Sequence, residues 1–202
     1  MGHVFVRLAG HGMRLVPYWP YRLTGSAAAA SVAVTVFADG GERHAVVRPG
    51  SSSVPGVVDV STGLEGDWRL EAGPFSLCWP GGFDIESPSD PQDGTPFYLH
   101  GPHHAMIFPQ GPVPLARLAG PDALVAPGQR IVDRRLLDDD IDVVELAYAH
   151  DGAPWWQAHW VIPVGREWAL ALTGQAPAAD SAAVRAGGDQ MARTLSGVDE
   201  RS

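Results

Sequence analysis

The chain has 202 residues, enough for one large domain or a domain with a sizeable appendage, and with a single cysteine, Cys78, it forms no intramolecular disulfide and no cysteine-based zinc cage. All 14 of its Lys+Arg residues are arginine, which excludes Schiff-base chemistry on lysine and a P-loop lysine. A formal net charge of −9 argues against a nucleic-acid partner, because phosphate binding needs a basic face.

In chain order, Arg7 and Arg14 interrupt the apolar residues between Met1 and Leu15. A secretory signal is therefore not expected, and no apolar run reaches the roughly 18 residues of a membrane helix. The expected setting is cytoplasmic. Up to about Leu70 the pattern is short apolar runs cut by Gly and Pro. His3–Leu8, Met13–Val16, Ser31–Phe37, His44–Arg48 and Val57–Val60 read as strands, with Asp39-Gly40-Gly41 closing a hairpin between two of them. Residues 1–65 read as a small β-rich unit and residues 66–202 as a second, α+β unit.

From Trp68 the texture changes. Phe75-Ser76-Leu77-Cys78-Trp79 alternates as a strand, stops at Pro80-Gly81-Gly82 and resumes at Phe83-Asp84-Ile85. Phe97–His100 and His104–Phe108 follow as short strands. Between Gly111 and Gly128 only a short helix fits, since Pro121 would break a long one. Arg130–Leu137 leads into Asp138-Asp139-Asp140, which reads as a solvated turn.

Ile141–Thr173 reads as a three-stranded antiparallel meander. Asp151-Gly152 is a two-residue hairpin signal and pairs Tyr148 with Trp155, Leu146 with Gln157 and Val144 with His159. A second turn at Gly165-Arg166 pairs Ile162 with Ala169 and Trp160 with Ala171. Alternation then places Ile141, Val143, Trp156, Ala158, Trp160, Ile162, Ala169 and Ala171 on one face. Leu146, Tyr148, Trp155, Gln157, His159 and Trp168 share the other. Both faces are largely apolar, so each needs a cover. One cover is a C-terminal helix capped at Asp180 or Ser181 and running to about Leu195, with Val184, Gly188, Met191 and Leu195 at helical spacing. Gly187-Gly188 inside it implies close approach to the sheet, against Ala158, Ala169 and Ala171. The fold class is α+β: a twisted antiparallel sheet with a C-terminal helix on one face, preceded by the β-rich unit.

Residues 75 to 198 carry Phe75-Ser76-Leu77 followed by Pro80-Gly81-Gly82-Phe83. They also carry Asp151-Gly152 followed by Trp155-Trp156-Gln157 and His159, and a helix closing on Ala192-Arg193-Thr194-Leu195-Ser196. This order resembles the Mog1/PsbP-like superfamily, which includes photosystem extrinsic subunits, a nuclear-transport factor, envelope proteins and secretion chaperones. The resemblance implies a noncatalytic binding or scaffolding protein with no cofactor and no common catalytic set.

The candidate binding residues are thus Leu146, Tyr148, Trp155, Gln157, His159 and Trp168, offered to another protein by a chaperone, adaptor or assembly factor. No nucleic acid and no membrane insertion are expected. An alternative is a metal-binding protein or metal-dependent enzyme built on His100, His103 and His104, although their spacing matches neither a helical nor a strand ligand pair. A structural subunit of a larger assembly is a further alternative. His159 with Asp142, which shares its face diagonally, is a conceivable acid–base pair, whereas Glu145 points to the opposite face. Cys78 lies mid-strand beside Trp79 and reads as a buried structural thiol.

Overall fold

The computed structural model describes residues 4–8, 11–15, 21–24, 32–38, 41–47, 57–61, 68–72 and 75–197, apart from residues 87, 89, 91, 119, 121 and 139. Before Phe75 it describes backbone, with the side chain of Leu70. Residues 39 and 40, where the sequence signals a turn, and residues 48–56 lie outside the described residues. Two compact units emerge, Met1–Leu99 with Thr194–Ser202, and His100–Arg193.

In the first unit Val4–Leu8 pairs with His11–Leu15 on one side and with Trp68–Ala72 on the other. Trp68–Ala72 continues to Phe75–Cys78, and His11–Leu15 to Val57–Ser61. A separate ladder joins Asp84–Glu86, Tyr21–Thr24, Val32–Ala38 and Gly41–Val47. The hairpin read from the Asp39-Gly40-Gly41 signal is therefore present in its strands. The boundary expected at residue 65 differs from the compact unit, which extends to Leu99: Trp68–Ala72 pairs back onto the first strand, and Phe75–Cys78 pairs onto Trp68–Ala72.

The second unit is an antiparallel sheet with a helix, the α+β architecture expected. Its strands run in the order Arg130–Leu137, Ile141–His150, Ala153–Val164, Trp168–Pro177, Met106–Pro114. The meander is present with its first register as read: Tyr148 faces Trp155, Leu146 faces Gln157 and Val144 faces His159. Asp151 and Gly152 take φ of 51° and 76°, the two positive values that a tight hairpin matching strand twist requires.

The second register differs by one residue. The turn holds three residues, Gly165, Arg166 and Glu167, so Val164 pairs with Trp168, Ile162 with Leu170 and Trp160 with Leu172. A slip of one flips every side chain of the third strand. Ala169 and Ala171 consequently lie on the face of His159, and Trp168, Leu170 and Leu172 on the face of Trp160.

The helix Ser181–Thr194 packs on the Trp160 face, burying Val184, Gly187, Gly188, Met191 and Ala192. Its glycines do allow close approach, but to an indole rather than to alanines. A Cβ on Gly188 would overlap the Trp160 ring, and one on Gly174 would sit 2.6 Å from Val184 Cγ1 and 3.0 Å from Trp160 Cζ3. Gly188→Ala ordinarily gains about 1 kcal/mol in a helix interior. Here the buried ring cannot withdraw, so we predict a net loss of about 2 kcal/mol from overpacking, measured as a lower urea midpoint at unchanged slope.

Candidate functional site

Each face of the second sheet carries one polar system. On the helix face Glu145 is buried beneath the helix, where an isolated carboxylate would be prohibitively costly. Arg185 donates to it from Nε at 2.8 Å and from Nη2 at 2.6 Å, and the Trp156 indole donates at 2.9 Å. The Arg135 guanidinium adds charge at 3.7 Å. Burial alone would raise the Glu145 pKa, but the bonds from Arg185 and Trp156 and the two positive charges outweigh it and hold the carboxyl below its usual range. Asp189 accepts from Arg135 Nη2 at 2.6 Å and from the Trp160 indole at 2.7 Å. Arg185 also lies over the Trp156 ring, 5.3 Å from its centroid.

On the opposite face the side chains form a single file. The Ala126 backbone N–H donates to Gln129 Oε1 at 2.9 Å, and Gln129 Nε2 donates to Gln157 Oε1 at 3.0 Å. Gln157 Nε2 stands 2.8 Å from His159 Nε2, and His159 Nδ1 stands 3.0 Å from Thr173 Oγ1. Thr173 Oγ1 donates to Gln110 Oε1 at 3.2 Å. Burial lowers the His159 pKa from 6.5 to about 4, so the ring is neutral near pH 7.

Five of the six sequence candidates thus share a face: Leu146, Tyr148, Trp155, Gln157 and His159. Leu146 and His159 are buried at its centre, and Tyr148, Trp155 and Gln157 are half-buried toward the Asp151-Gly152 turn. Tyr148 and Trp155 are 6.2 Å apart by ring centroids, and His150 meets Trp155 edge-on at 5.5 Å. Trp168 is not with them. Because of the one-residue register it belongs to the helix face, where it is 48% exposed beside Val164 at the second turn.

His103 and His104 lie in a short turn at positive φ of 53° and 68°, and His103 Nδ1 contacts Asp180 Oδ1 at 3.2 Å. Among the described residues no group of three or more His, Cys, Asp or Glu side chains converges as a metal site, His100, His103 and His104 included. Cys78 is buried, and its backbone N–H donates to Thr194 Oγ1. Asp142 makes an ion pair with Arg134 at 3.7 Å and none with His159.

Sequence reasoning missed the strand Arg130–Leu137. Among the described residues it is the terminal strand of its sheet, paired only to Ile141–His150, and the pairing shifts between Ile131 and Asp133 so that Val132 is bulged. Three large apolar side chains are exposed along it: Ile131 at 39%, Val132 at 43% and Leu136 at 67%.

No protein-family model matches the chain, and no curated protein matches it. Among solved structures it is similar to LpqN, described as involved in cell envelope biogenesis of Mycobacterium tuberculosis. The identity is 18%, over 63% of this chain and 80% of that one, with a TM-score of 0.33. The resemblance to the Mog1/PsbP-like superfamily finds no family match here, and what stands is the α+β class with its antiparallel sheet and C-terminal helix. Among the described residues no helix is long and apolar enough to cross a membrane.

The neutral His159 gives a signed pH dependence. The unfolded chain protonates this imidazole near 6.5 and the folded chain only near 4, so its contribution is complete above about pH 6.5 and declines until about pH 4. That separation corresponds to about 3 kcal/mol. Urea midpoints measured from pH 7.5 to 4.5 are predicted to fall steadily below pH 6.5. A midpoint that stays level to pH 5 contradicts a neutral buried ring.

Proposed function

We propose that the His100–Arg193 unit is a noncatalytic protein-binding module, a chaperone, adaptor or assembly factor similar to Mog1/PsbP-like proteins, and that it takes its partner along the edge strand Arg130–Leu137. The observation that carries this reading is the exposure of Ile131, Val132 and Leu136 on a strand with a single neighbour among the described residues. An unpaired strand edge presents backbone N–H and C=O groups to any extended segment, and exposed apolar side chains beside it add hydrophobic contact area. Asp133 and Arg134 and the bulge at Val132 guard such an edge against indiscriminate pairing, leaving Asp133–Leu137 in regular register.

The groups best suited to chemistry support binding over catalysis. His159 has both ring nitrogens engaged, and Glu145 is held by an arginine and an indole. Neither presents a free acid or base to a substrate. On this reading Tyr148, Trp155 and Gln157 form a secondary margin of contact, and the module needs no cofactor, nucleic acid or membrane.

A photo-crosslinking residue placed at Leu136 in the full chain, expressed in its source cell, tests this directly. The expected result is a discrete adduct with another protein that is absent when the same residue replaces Arg166 on the second turn. Equal labelling from both positions, or none from Leu136, refutes the edge as the docking surface.

A further inference from the structure

The single file on the His159 face has a fixed direction. Its first donor is a backbone N–H, that of Ala126, which cannot reverse its role. Gln129 must therefore present oxygen to Ala126 and nitrogen to Gln157, and Gln157 must present oxygen to Gln129 and nitrogen to His159. The ring receives that bond on a bare Nε2, keeps its proton on Nδ1 and donates it to Thr173, whose hydroxyl passes its own proton toward Gln110.

The two ends of the file bracket one segment of the chain. Gln110 lies at the register shift where Gly111 leaves the regular ladder, and Gln129 stands immediately before the edge strand. Gly111–Gly128 is thus a strap, its first four residues still within the strand Met106–Pro114, whose two necks, Gln110 and Gln129, are joined by a file that passes through one imidazole. Besides these ties, the ladder resumes beyond the shift with Val113 opposite Ala169 and Pro114 opposite Trp168, and the Leu115 N–H donates to the Glu167 carbonyl at 2.8 Å.

We propose that His159 is the centre of a one-way hydrogen-bond latch joining the two necks of the Gly111–Gly128 strap, with the Ala126 backbone dictating the tautomer and protonation of the ring opening the latch. A proton on Nε2 would face the Gln157 amide N–H. If Gln157 turns its oxygen to the ring, its nitrogen faces that of Gln129, and if Gln129 turns as well, its nitrogen faces the Ala126 N–H. One bond is lost wherever the fault comes to rest.

The other titratable or charged groups on this face of the sheet are Arg134, Asp142, Tyr148 and His150, and those of the strap are Arg117 and Asp122. Among the described residues none of them bonds to the imidazole, whose partners Gln157 and Thr173 are both neutral. The fall of its pKa through burial agrees with this.

Gln129→Glu tests the latch in the full chain. A carboxylate accepts from Ala126 but cannot donate to Gln157, so Gln157 should turn and offer oxygen to His159. Side-chain nitrogen and carbon NMR shifts at pH 8 are expected to show the Nδ1–H tautomer in the natural chain and a proton on Nε2 in the variant. A purely Coulombic effect of the new carboxylate would favour protonation but leave the neutral tautomer unchanged. The same tautomer in both proteins, or Nε2–H in the natural chain, overturns the proposal. Gln129→Met, which cuts the file without adding charge, is expected to speed hydrogen exchange at the Ala126 amide by about tenfold. An unchanged exchange rate there also overturns it.

Discussion

The Trp160 indole fills the space between the central strand and the helix, and much of the second unit follows from accommodating it. Burying a tryptophan removes about 200 Å² from water, worth roughly 5 kcal/mol in transfer free energy. That gain requires a helix that approaches without a Cβ at Gly188 and a neighbouring strand without one at Gly174. The ring also has one polar atom to satisfy. Its Nε1–H reaches Asp189 on the helix, and Asp189 in turn holds Arg135 of the edge strand. Through these contacts one side chain fixes the height of the helix and ties the edge strand to it.

The opposite face answers a different constraint. Val144, Leu146, Ala169 and Ala171 make it apolar and buried, yet Gln157, His159 and Thr173 cross it in a row. Polar groups so placed persist only when each finds a partner, and here two glutamines from the necks of the strap complete the file. With packing on one face and hydrogen bonding on the other, the large apolar side chains left exposed among the described residues are Ile131, Val132 and Leu136 on the terminal strand and Val164 and Trp168 at the second turn.

Much of this was legible where local chemistry is strict. Asp151-Gly152 demands two positive φ values, and the register of the first hairpin follows from it. Gly165-Arg166 does not discriminate between a two- and a three-residue turn, and the error of one residue moved Trp168 to the wrong face and hid the pairing of His159 with Thr173. The strand Arg130–Leu137 escaped notice because most of its side chains are exposed on both faces, so no alternation marks it. Glu145 was placed correctly on the face opposite His159. Nothing in the linear sequence pairs it with Arg185, 40 residues away, or pairs Gln129 with Gln157.

The most direct measurement of the organising role given to Trp160 is a double-mutant cycle pairing Gly188→Ala with Trp160→Leu, each stability taken from urea unfolding. If the indole is what the helix glycine accommodates, the smaller side chain relieves the added methyl, and the double variant is about 2 kcal/mol more stable than the sum of the single losses predicts. Additive losses would mean that the helix and the ring do not constrain each other.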